Sequence, residues 1–192
     1  MTRVVSQDIG KFYHHYPKLA TIVTAQAKGK ENAMAVAWHT SISVKPPLYG
    51  ISISPKRLTY QLIADSKEFG INFLPFETAE LIASVGGSSG LEIDKFQRFN
   101  IVKVKPVKTS VPILDAAYAA YECQLVDDRG FGDHRWLVGE IVAVHLKNEA
   151  FTAEETIALD KVSPALYLGD ERYLTAAKDK IIRLDRQAYG KR

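Results

Sequence analysis

The chain has 192 residues, of which 46% are hydrophobic and 10% are aromatic, and this composition excludes a disordered chain. The formal net charge of +3, without any long block of like charge, favours small anionic ligands and argues against a nucleic-acid partner. No apolar run is long enough to span a bilayer and no signal-like leader is visible, so we expect a cytoplasmic protein without a membrane partner. The length predicts a single domain over residues 1–192.

In chain order, the predicted elements are mostly strands connected by hairpins. A lead-in with a short helix around Asp8 to Tyr13 comes before the first strand, and a later helix begins at Ser54. Strands are predicted at 21–27, 33–44, 48–54, 69–75, 101–107, 119–128 and 135–146. Further helices are predicted at 77–85 and 152–160, with loops at 86–96 and 163–174. This order predicts a mainly-β (α+β) fold built as an antiparallel barrel rather than a βαβ sheet.

Strand 33–44 alternates between two kinds of side chain. Its even positions predict a core face made of Met34, Val36, Trp38, Ile42 and Val44. Its odd positions are small or polar apart from His39, and strand 48–54 repeats the pattern with Gly50, Ser52 and Ser54. If the two strands pair, their small faces would make a flat floor for a planar ligand. An ordinary solvent-facing side of an antiparallel sheet explains the pattern equally well.

The stretch "SPKRLT" places two cations where a helix is predicted to begin. Ser54 is a good N-cap and Pro55 suits the first helical position. A helix N-terminus carries a partial positive charge, so Lys56 and Arg57 oppose it unless an anion binds there. A solvated basic helix start is the alternative, and it costs only about 0.3–1 kcal/mol per charge. Beside the predicted floor, we favour a phosphate site that also uses the hydroxyl of Thr59.

The loop "GGSSGLEIDKF" offers further donors to an anion. Its glycines permit close backbone approach, Ser88 and Ser89 provide hydroxyls, and Lys95 provides a cation. The glycine spacing does not fit a dinucleotide fingerprint, and a helical pattern comes before it. On its own the loop is equally typical of a flexible turn.

Cysteine and histidine usage limits the chemistry. The single cysteine, Cys123, excludes an intramolecular disulfide framework and is expected in the core. None of the five histidines shows a metal-binding spacing, so no metal site is predicted. His134 lies between Asp133 and Arg135 at the start of strand 135–146, which places it at a barrel rim, where ligands bind. That strand is apolar on both faces, so one face is expected in the barrel interior and the other beneath helices or a second subunit, and we favour a homodimer.

Several of these segments together resemble one family. The segments "NAMAVAWHTSISVKPP", "SPKRLT", "GGSSGLEIDKF", "GDHRWLVGE" and "ALYLGDERYL" cover most of residues 17 to 175. In this combination the chain resembles the flavin reductase-like FMN-binding split-barrel proteins, a group that includes flavoredoxin and archaeal ferric reductase. The resemblance implies a homodimeric Greek-key split β-barrel with FMN bound at the subunit edge.

The resemblance also implies roles for individual residues. Four would line the flavin ring: Trp38, His39, Thr40 and Ser41. Ser54, Arg57 and Thr59 would hold the ribityl chain and the phosphate, while Ser88, Ser89 and Lys95 would close over the phosphate end. Tyr167 would cover the flavin. His134 would position the nicotinamide of NADH or NADPH without transferring hydride itself.

The implied activity is that of an FMN-dependent oxidoreductase. Electrons would pass from NAD(P)H through FMN to free flavin, ferric iron or a redox protein, and the sequence does not choose among these acceptors. The alternative is a flavoredoxin-type electron carrier that has no nicotinamide site of its own. A barrel that binds no cofactor and serves as a scaffold is a third possibility.

Overall fold

The computed structural model describes residues 2–182. The strands are β1 (Lys18–Leu19), β2 (Thr21–Ala27), β3 (Lys30–Val36), β4 (His39–Val44), β5 (Pro47–Ile53), β6 (Glu68–Phe73), β7 (Lys103–Val104), β8 (Ile113–Leu114), β9 (Ala119–Phe131), β10 (His134–Leu146), β11 (Leu166–Gly169) and β12 (Arg172–Leu174). The α-helices are α1 (Leu58–Ser66), α2 (Ala79–Gly86) and α3 (Lys95–Arg98). Short 3-10 turns lie at Phe76–Thr78, Asn148–Ala150 and Lys178–Lys180.

Seven antiparallel strands form the main sheet, in the order β3-β2-β6-β9-β10-β5-β4. Its two edge strands, β3 and β4, are joined by only Ala37 and Trp38, so the sheet curls until its ends approach each other. The backbone N–H of Ser52 in β5 donates to the carbonyl of Trp38 at this join, over 2.8 Å. The predicted mainly-β antiparallel barrel is therefore confirmed. A small sheet of β1, β11 and β12 and a β7–β8 pair complete the structure.

The core lies on both faces of the sheet. The barrel interior is filled by buried side chains that include Val23, Ile51, Phe69, Leu137 and Cys123. A second cluster packs helices α2 and α3 against the outer face through residues that include Ile22, Ala33, Ile82, Val85 and Phe96. Strand β2 supplies neighbouring residues to both clusters, which explains why it is buried at nearly every position. Cys123 is buried, as expected.

The predicted long strand 33–44 is wrong, because it is two strands with different partners. Strand β3 pairs with β2, whereas β4 pairs with β5, and the break falls at Ala37 and Trp38. His39 lies opposite Ile51, and Ser41 opposite Tyr49. The small face of β4 therefore meets the large face of β5, and the predicted flat floor does not form. The predicted core positions Trp38, Ile42 and Val44 are exposed.

Helix α1 begins at Leu58, four residues after the predicted start at Ser54. Residues 54–57 form a turn in which the Arg57 N–H donates to the Ser54 carbonyl over 3.1 Å. Arg57, rather than Ser54, is the residue that flanks the helix, with an extended backbone and no side-chain cap. Because the turn stands clear of the helix, both cations project from a loop rather than from the first helical turn.

Three further element predictions also differ from the structure. The predicted helix 152–160 is a series of turns, and Glu155 has a left-handed backbone (φ 59°) that a helix does not accept. The lead-in contains no helix, since Gly10 (φ 54°) and Phe12 (φ 62°) are also left-handed. The predicted loop 163–174 instead folds as the β11–β12 hairpin.

Gly139 allows the barrel wall to bend. The β9–β10 pairing shifts register between Val138 and Gly139, which marks a bulge. A Cβ atom at Gly139 would lie 2.5 Å from the ring of Phe69 and 2.8 Å from the Cβ of Cys123. The second glycine of the "GDHRWLVGE" segment, Gly139, is therefore required by core packing at this bend. Within residues 2–182, no helix is both long enough and apolar enough to cross a membrane.

Candidate functional site

A cavity of about 530 Å³ opens beside the join between β3 and β4, where the two edges of the curled sheet approach each other. Five stretches of chain line it: the end of β3 into the join, the end of β5, the turn leading into α1, the glycine-rich loop after α2, and the tip of the β9–β10 hairpin. They contribute Met34–Trp38, Ser52–Ser54, Lys56–Thr59, Val85–Leu91 except Gly87, and Asp133–His134, together with Asn32 and Lys95. The volume suits a single cofactor-sized ligand.

One end of this cavity is cationic. Lys56 and Arg57 are exposed, and no carboxylate within residues 2–182 forms an ion pair with either of them. Lys95 is buried at the same end, where its Nζ donates to the Val85 carbonyl over 2.7 Å. Burial, and secondarily the charge of Arg57, lower the pKa of Lys95 to about 8. An anion placed here would relieve the repulsion between these cations.

The hydroxyls beside these cations are held in different ways. Thr59 is buried, and its Oγ1 accepts a hydrogen bond from Nδ2 of Asn32 over 2.8 Å, which leaves its own proton available to a ligand. The Ser88 hydroxyl instead donates to the Ser84 carbonyl over 2.8 Å. Ser89 Oγ accepts the N–H of Leu91 over 3.3 Å. Thr59 and Ser89 are therefore better placed than Ser88 to donate to an anion.

Asn32 brings three walls of the cavity together. It lies on β3, bonds Thr59 of α1, and contacts the glycine-rich loop at Gly90. A Cβ at Gly90 would lie 2.2 Å from Oδ1 of Asn32, so only glycine permits this approach. No sequence pattern marked Asn32 as a site residue, although it belongs to the first segment that carries the family resemblance.

The cavity also has an aromatic and acidic rim, formed by Trp38, Asp133 and His134. The Nδ1–H of His134 donates to the Asp133 carboxylate over 2.8 Å, and this bond lowers the pKa of Asp133. The rings of His134 and Trp38 lie 5.0 Å apart, and the Trp38 indole N–H donates to the Tyr16 hydroxyl over 2.8 Å. Since Nδ1 carries the proton of that bond, Nε2 of a neutral His134 is left as an acceptor.

The hairpin that carries His134 is tied to helix α1. Arg135 Nε donates to Oδ1 of Asp128 over 2.6 Å, and the Tyr60 hydroxyl donates to Oδ2 of the same carboxylate over 3.1 Å. The Arg135 guanidinium also lies over the Tyr60 ring, 5.8 Å from its centre. These contacts fix the position of the rim relative to the turn that carries the cations.

The structure brings together eight of the twelve predicted site residues. These are Trp38, Ser54, Arg57, Thr59, Ser88, Ser89, Lys95 and His134. The other four lie outside the cavity: Thr40 and Ser41 are exposed on β4, His39 is turned inward, and Tyr167 lines a second cavity. The break at Ala37 and Trp38 separates His39, Thr40 and Ser41 from the cavity wall.

Both ring nitrogens of His39 are used in hydrogen bonds within the fold. Its Nε2 lies 2.8 Å from the Leu19 carbonyl and its Nδ1 lies 2.7 Å from the Tyr49 hydroxyl. Because a carbonyl only accepts, Nε2 carries the proton and Nδ1 accepts from Tyr49. Burial lowers the pKa of His39, which favours this neutral form.

The residues of the cavity fit an FMN molecule. Unpaired cations and hydroxyls at one end suit a phosphate, and the stretch from Met34 to Ala37 provides a largely apolar wall for a planar ring. Among the residues that the structure describes, no cluster of histidine, cysteine or carboxylate side chains could hold a metal ion.

Comparison with known proteins assigns the family. A sequence model described as a flavin reductase-like domain matches residues 13–176, so the chain belongs to the flavin reductase-like domain family. This establishes the predicted family, and a structural neighbour described as a putative flavin reductase with a split barrel domain agrees with the predicted fold.

Individual relatives extend the comparison. An FMN-binding protein from Thermus thermophilus is 33% identical, with a TM-score of 0.85 over 95% of this chain and 99% of that one. Flavoredoxin from Methanosarcina acetivorans is 25% identical, with a TM-score of 0.81 over 98% of each chain. A ferric-chelate reductase (NAD(P)H) of Archaeoglobus fulgidus is 28% identical over 67% of this chain and 76% of that protein. Three other relatives are 30–33% identical, and the chain spans 59–78% of their length.

Proposed function

We propose that this protein binds FMN in the cavity between β3, α1 and the glycine-rich loop, and acts as an oxidoreductase that takes electrons from NADH or NADPH. The observation that carries the proposal is that one cavity of about 530 Å³ has cations without an ion-pair partner among the described residues at one end and a largely apolar wall beside them. FMN has the matching shape, a phosphate joined to a planar ring. The family, and the name of the Thermus thermophilus relative, support this cofactor.

Each side chain has a defined task in this proposal. Arg57 and Lys56 hold the phosphate, Arg57 through its fork of donors, and Thr59 and Ser89 add hydroxyl donors. Ser54 and Lys95 line the same cavity and would add contacts to the ribityl chain and to the phosphate end, respectively. Bound FMN would supply the hydride and electron chemistry, and the protein would supply orientation and exclusion of water.

His134 is proposed to position the nicotinamide at the rim. Its Nδ1–H is engaged by Asp133, so the ring is held in one orientation with Nε2 available as an acceptor. An acceptor there can bind the carboxamide N–H of a nicotinamide. The relative named as a ferric-chelate reductase (NAD(P)H) supports a nicotinamide donor for this chain.

The test begins with the visible spectrum of the purified protein after addition of FMN. Binding should shift and sharpen the flavin absorbance. Anaerobic stopped-flow mixing with NADH or NADPH should then bleach that absorbance at least as fast as the enzyme turns over. Replacing His134 with alanine should slow this bleaching by about tenfold or more and leave FMN binding largely intact. Loss of FMN from His134→Ala would instead show a structural role. If neither nucleotide bleaches the flavin absorbance, the proposed reductase activity is rejected.

A flavoredoxin-type electron carrier is the second candidate. The fold similarity to the Methanosarcina acetivorans flavoredoxin favours it. It predicts a protein that binds FMN and is reduced by dithionite or a redox partner, but not by NADH or NADPH. The stopped-flow experiment therefore separates the two candidates. The cytoplasmic location stays a prediction.

A further inference from the structure

A second cavity, of about 570 Å³, adjoins the first one. The two share Ala35, Val36, Ala37 and Gly86 in their walls. The second cavity continues past these residues to helix α2 and to the β11–β12 hairpin. A ligand here would therefore lie against the same stretch of β3 that forms the apolar wall of the proposed FMN site.

The lining of the second cavity suits a flat ring. It includes residues with little or no side chain, among them Ala20, Ala83 and Gly87. It also includes the phenol rings of Tyr167 and Tyr173, whose centres lie 5.2 Å apart. Small residues together with aromatic rings are a common composition for a site that holds an aromatic ligand.

The tyrosine side of this cavity is held in place from behind. The ring of Tyr167 contacts those of Tyr16 and Tyr13, with centres 5.9 Å and 6.3 Å away. Tyr13 packs directly on Gly169, where a Cβ would lie 2.6 Å from the Tyr13 ring. Lys11 pairs with Asp170 at 2.7 Å and ties the lead-in to the hairpin. The aromatic wall is thus built before any ligand arrives, which reduces the entropic cost of binding.

The two cavities differ in charge. The first is lined by Lys56, Arg57 and Lys95, whereas Glu171 is the one charged side chain among the described residues that line the second. A phosphate or sulfonate placed in the second cavity would face this carboxylate, and none of the described residues that line the cavity is a cation that could offset it. An uncharged ring meets no such penalty.

We propose that the second cavity binds the electron acceptor, and that this acceptor is an uncharged planar ring compound of the quinone class. The assignment rests on the proposed function and narrows its acceptor. It disfavours phosphorylated flavins and anionic ferric chelates. In the overall reaction the reduced nicotinamide loses a hydride, the quinone gains its two electrons and proton, and one further proton from solvent completes the hydroquinone.

The test measures binding, not turnover. The probes are 1,4-naphthoquinone and its 2-sulfonate, which share a ring and differ in charge. Calorimetric titration of the FMN-loaded protein without any reductant should show the neutral quinone binding about tenfold more tightly than the sulfonate. Glu171→Gln should reduce that difference to about threefold or less. The lone thiol, Cys123, is buried, so the quinone is not consumed by addition to it.

Two variants localise the binding. Tyr173→Ala should weaken naphthoquinone by about tenfold through loss of ring contact. Ala83→Phe should fill the cavity from the exposed face of α2 and weaken naphthoquinone binding at least as much. Ser84→Phe, on the same helix, is the matched control. Equal binding of the two probes by the wild type, or unchanged naphthoquinone binding by a folded Ala83→Phe variant, would overturn the proposal. Failure of NAD(P)H to bleach the flavin would reject the proposed function and leave these dissociation constants unaffected.

Discussion

Arg57 and Lys95 lie at the same end of the cavity in opposite surroundings. Arg57 is exposed on the turn before α1, and its guanidinium has no carboxylate partner within the described chain. Lys95 is buried beneath it with a single carbonyl acceptor. The first therefore suits direct contact with an anion, and the second adds a charge whose presence depends on pH. Each role leads to its own prediction.

Replacing Arg57 with alanine should weaken the binding of FMN more than that of riboflavin, by about 1–3 kcal/mol. The reason is that only FMN carries the phosphate that the guanidinium would bind. Fluorescence titration of both flavins with the wild type and the variant measures the difference. Arg98→Ala, which removes an exposed cation outside the cavity, is the matched control. Equal losses for the two flavins would remove Arg57 from the phosphate site.

Lys95 should make the stability of the FMN-free protein rise with pH. The pKa of Lys95 falls from 10.5 to about 8 on folding, so between these values the unfolded chain binds more protons than the folded one. The free energy of unfolding contributed by this group therefore increases as pH rises through that window. Urea unfolding on both sides of pH 8 should show the rise in the wild type but not in Lys95→Met. Tyrosine and thiol titration affects both proteins alike, so parallel pH profiles would contradict the assignment.

At the scale of elements, the β9–β10 hairpin supplies both the rim of the site and a wall of the core. Its bend depends on Gly139, which leaves no space for a side chain against Phe69 and Cys123. Beyond the bend, the hairpin carries Asp133 and His134 to the cavity, and Asp128 ties it to α1. A change at the bend therefore affects the stability of the barrel first and the site only indirectly.

The substitution Gly139→Ala should lower the free energy of unfolding by about 1–3 kcal/mol, since the added methyl must displace buried side chains. Gly130→Ala on the same hairpin is the control, because its Cβ would meet nothing closer than 3.6 Å. Chemical denaturation of both variants gives the comparison. If Gly139→Ala proves as stable as Gly130→Ala, the packing explanation of this glycine is wrong.

Elements with one environment throughout were predictable from the sequence. Strand β2 is buried at every position but one, and helix α2 buries Ile82 and Val85 on one face, so their patterns were sufficient to find them. The stretch 33–44 changes partner at Trp38 while its alternation continues, so hydrophobicity alone could not show the break. That hidden break explains why His39, Thr40 and Ser41 lie outside the cavity, and their contact with a flavin stays a prediction. Arg57, Lys95 and His134 line one cavity because each belongs to a motif whose residues stay together in the fold, and their contact with a ligand stays a prediction.

In the molecule as a whole, the barrel brings β3, the turn before α1, the glycine-rich loop and the tip of the β9–β10 hairpin to one opening. The proposed FMN site and the second cavity both lie there, against the same stretch of β3. The far end of β10 is different, because its apolar side chains Val144 and Leu146 are 52% and 53% exposed. The homodimer stays a prediction, and this end of β10 is where a second subunit would cover apolar surface.

We expect sedimentation equilibrium to give twice the mass of the chain. Val144→Asp should shift the equilibrium toward monomer, because a buried unpaired carboxylate is costly in an interface. Val5→Asp, at an exposed valine of the lead-in, should leave the mass unchanged. A wild-type protein that sediments as a monomer would reject the dimer.

The contact between Asn32 and Gly90 has a consequence for how this sequence can diverge. The Asn32 amide occupies the space that any side chain at position 90 would need, while it also holds Thr59 of α1. A relative that replaces the glycine must shorten or move the residue at position 32, and thereby frees the threonine. We therefore expect positions 32, 59 and 90 to covary across relatives, although they are 27 and 31 residues apart along the chain. A sequence alignment deep enough to detect such triples would test this without any experiment on the protein.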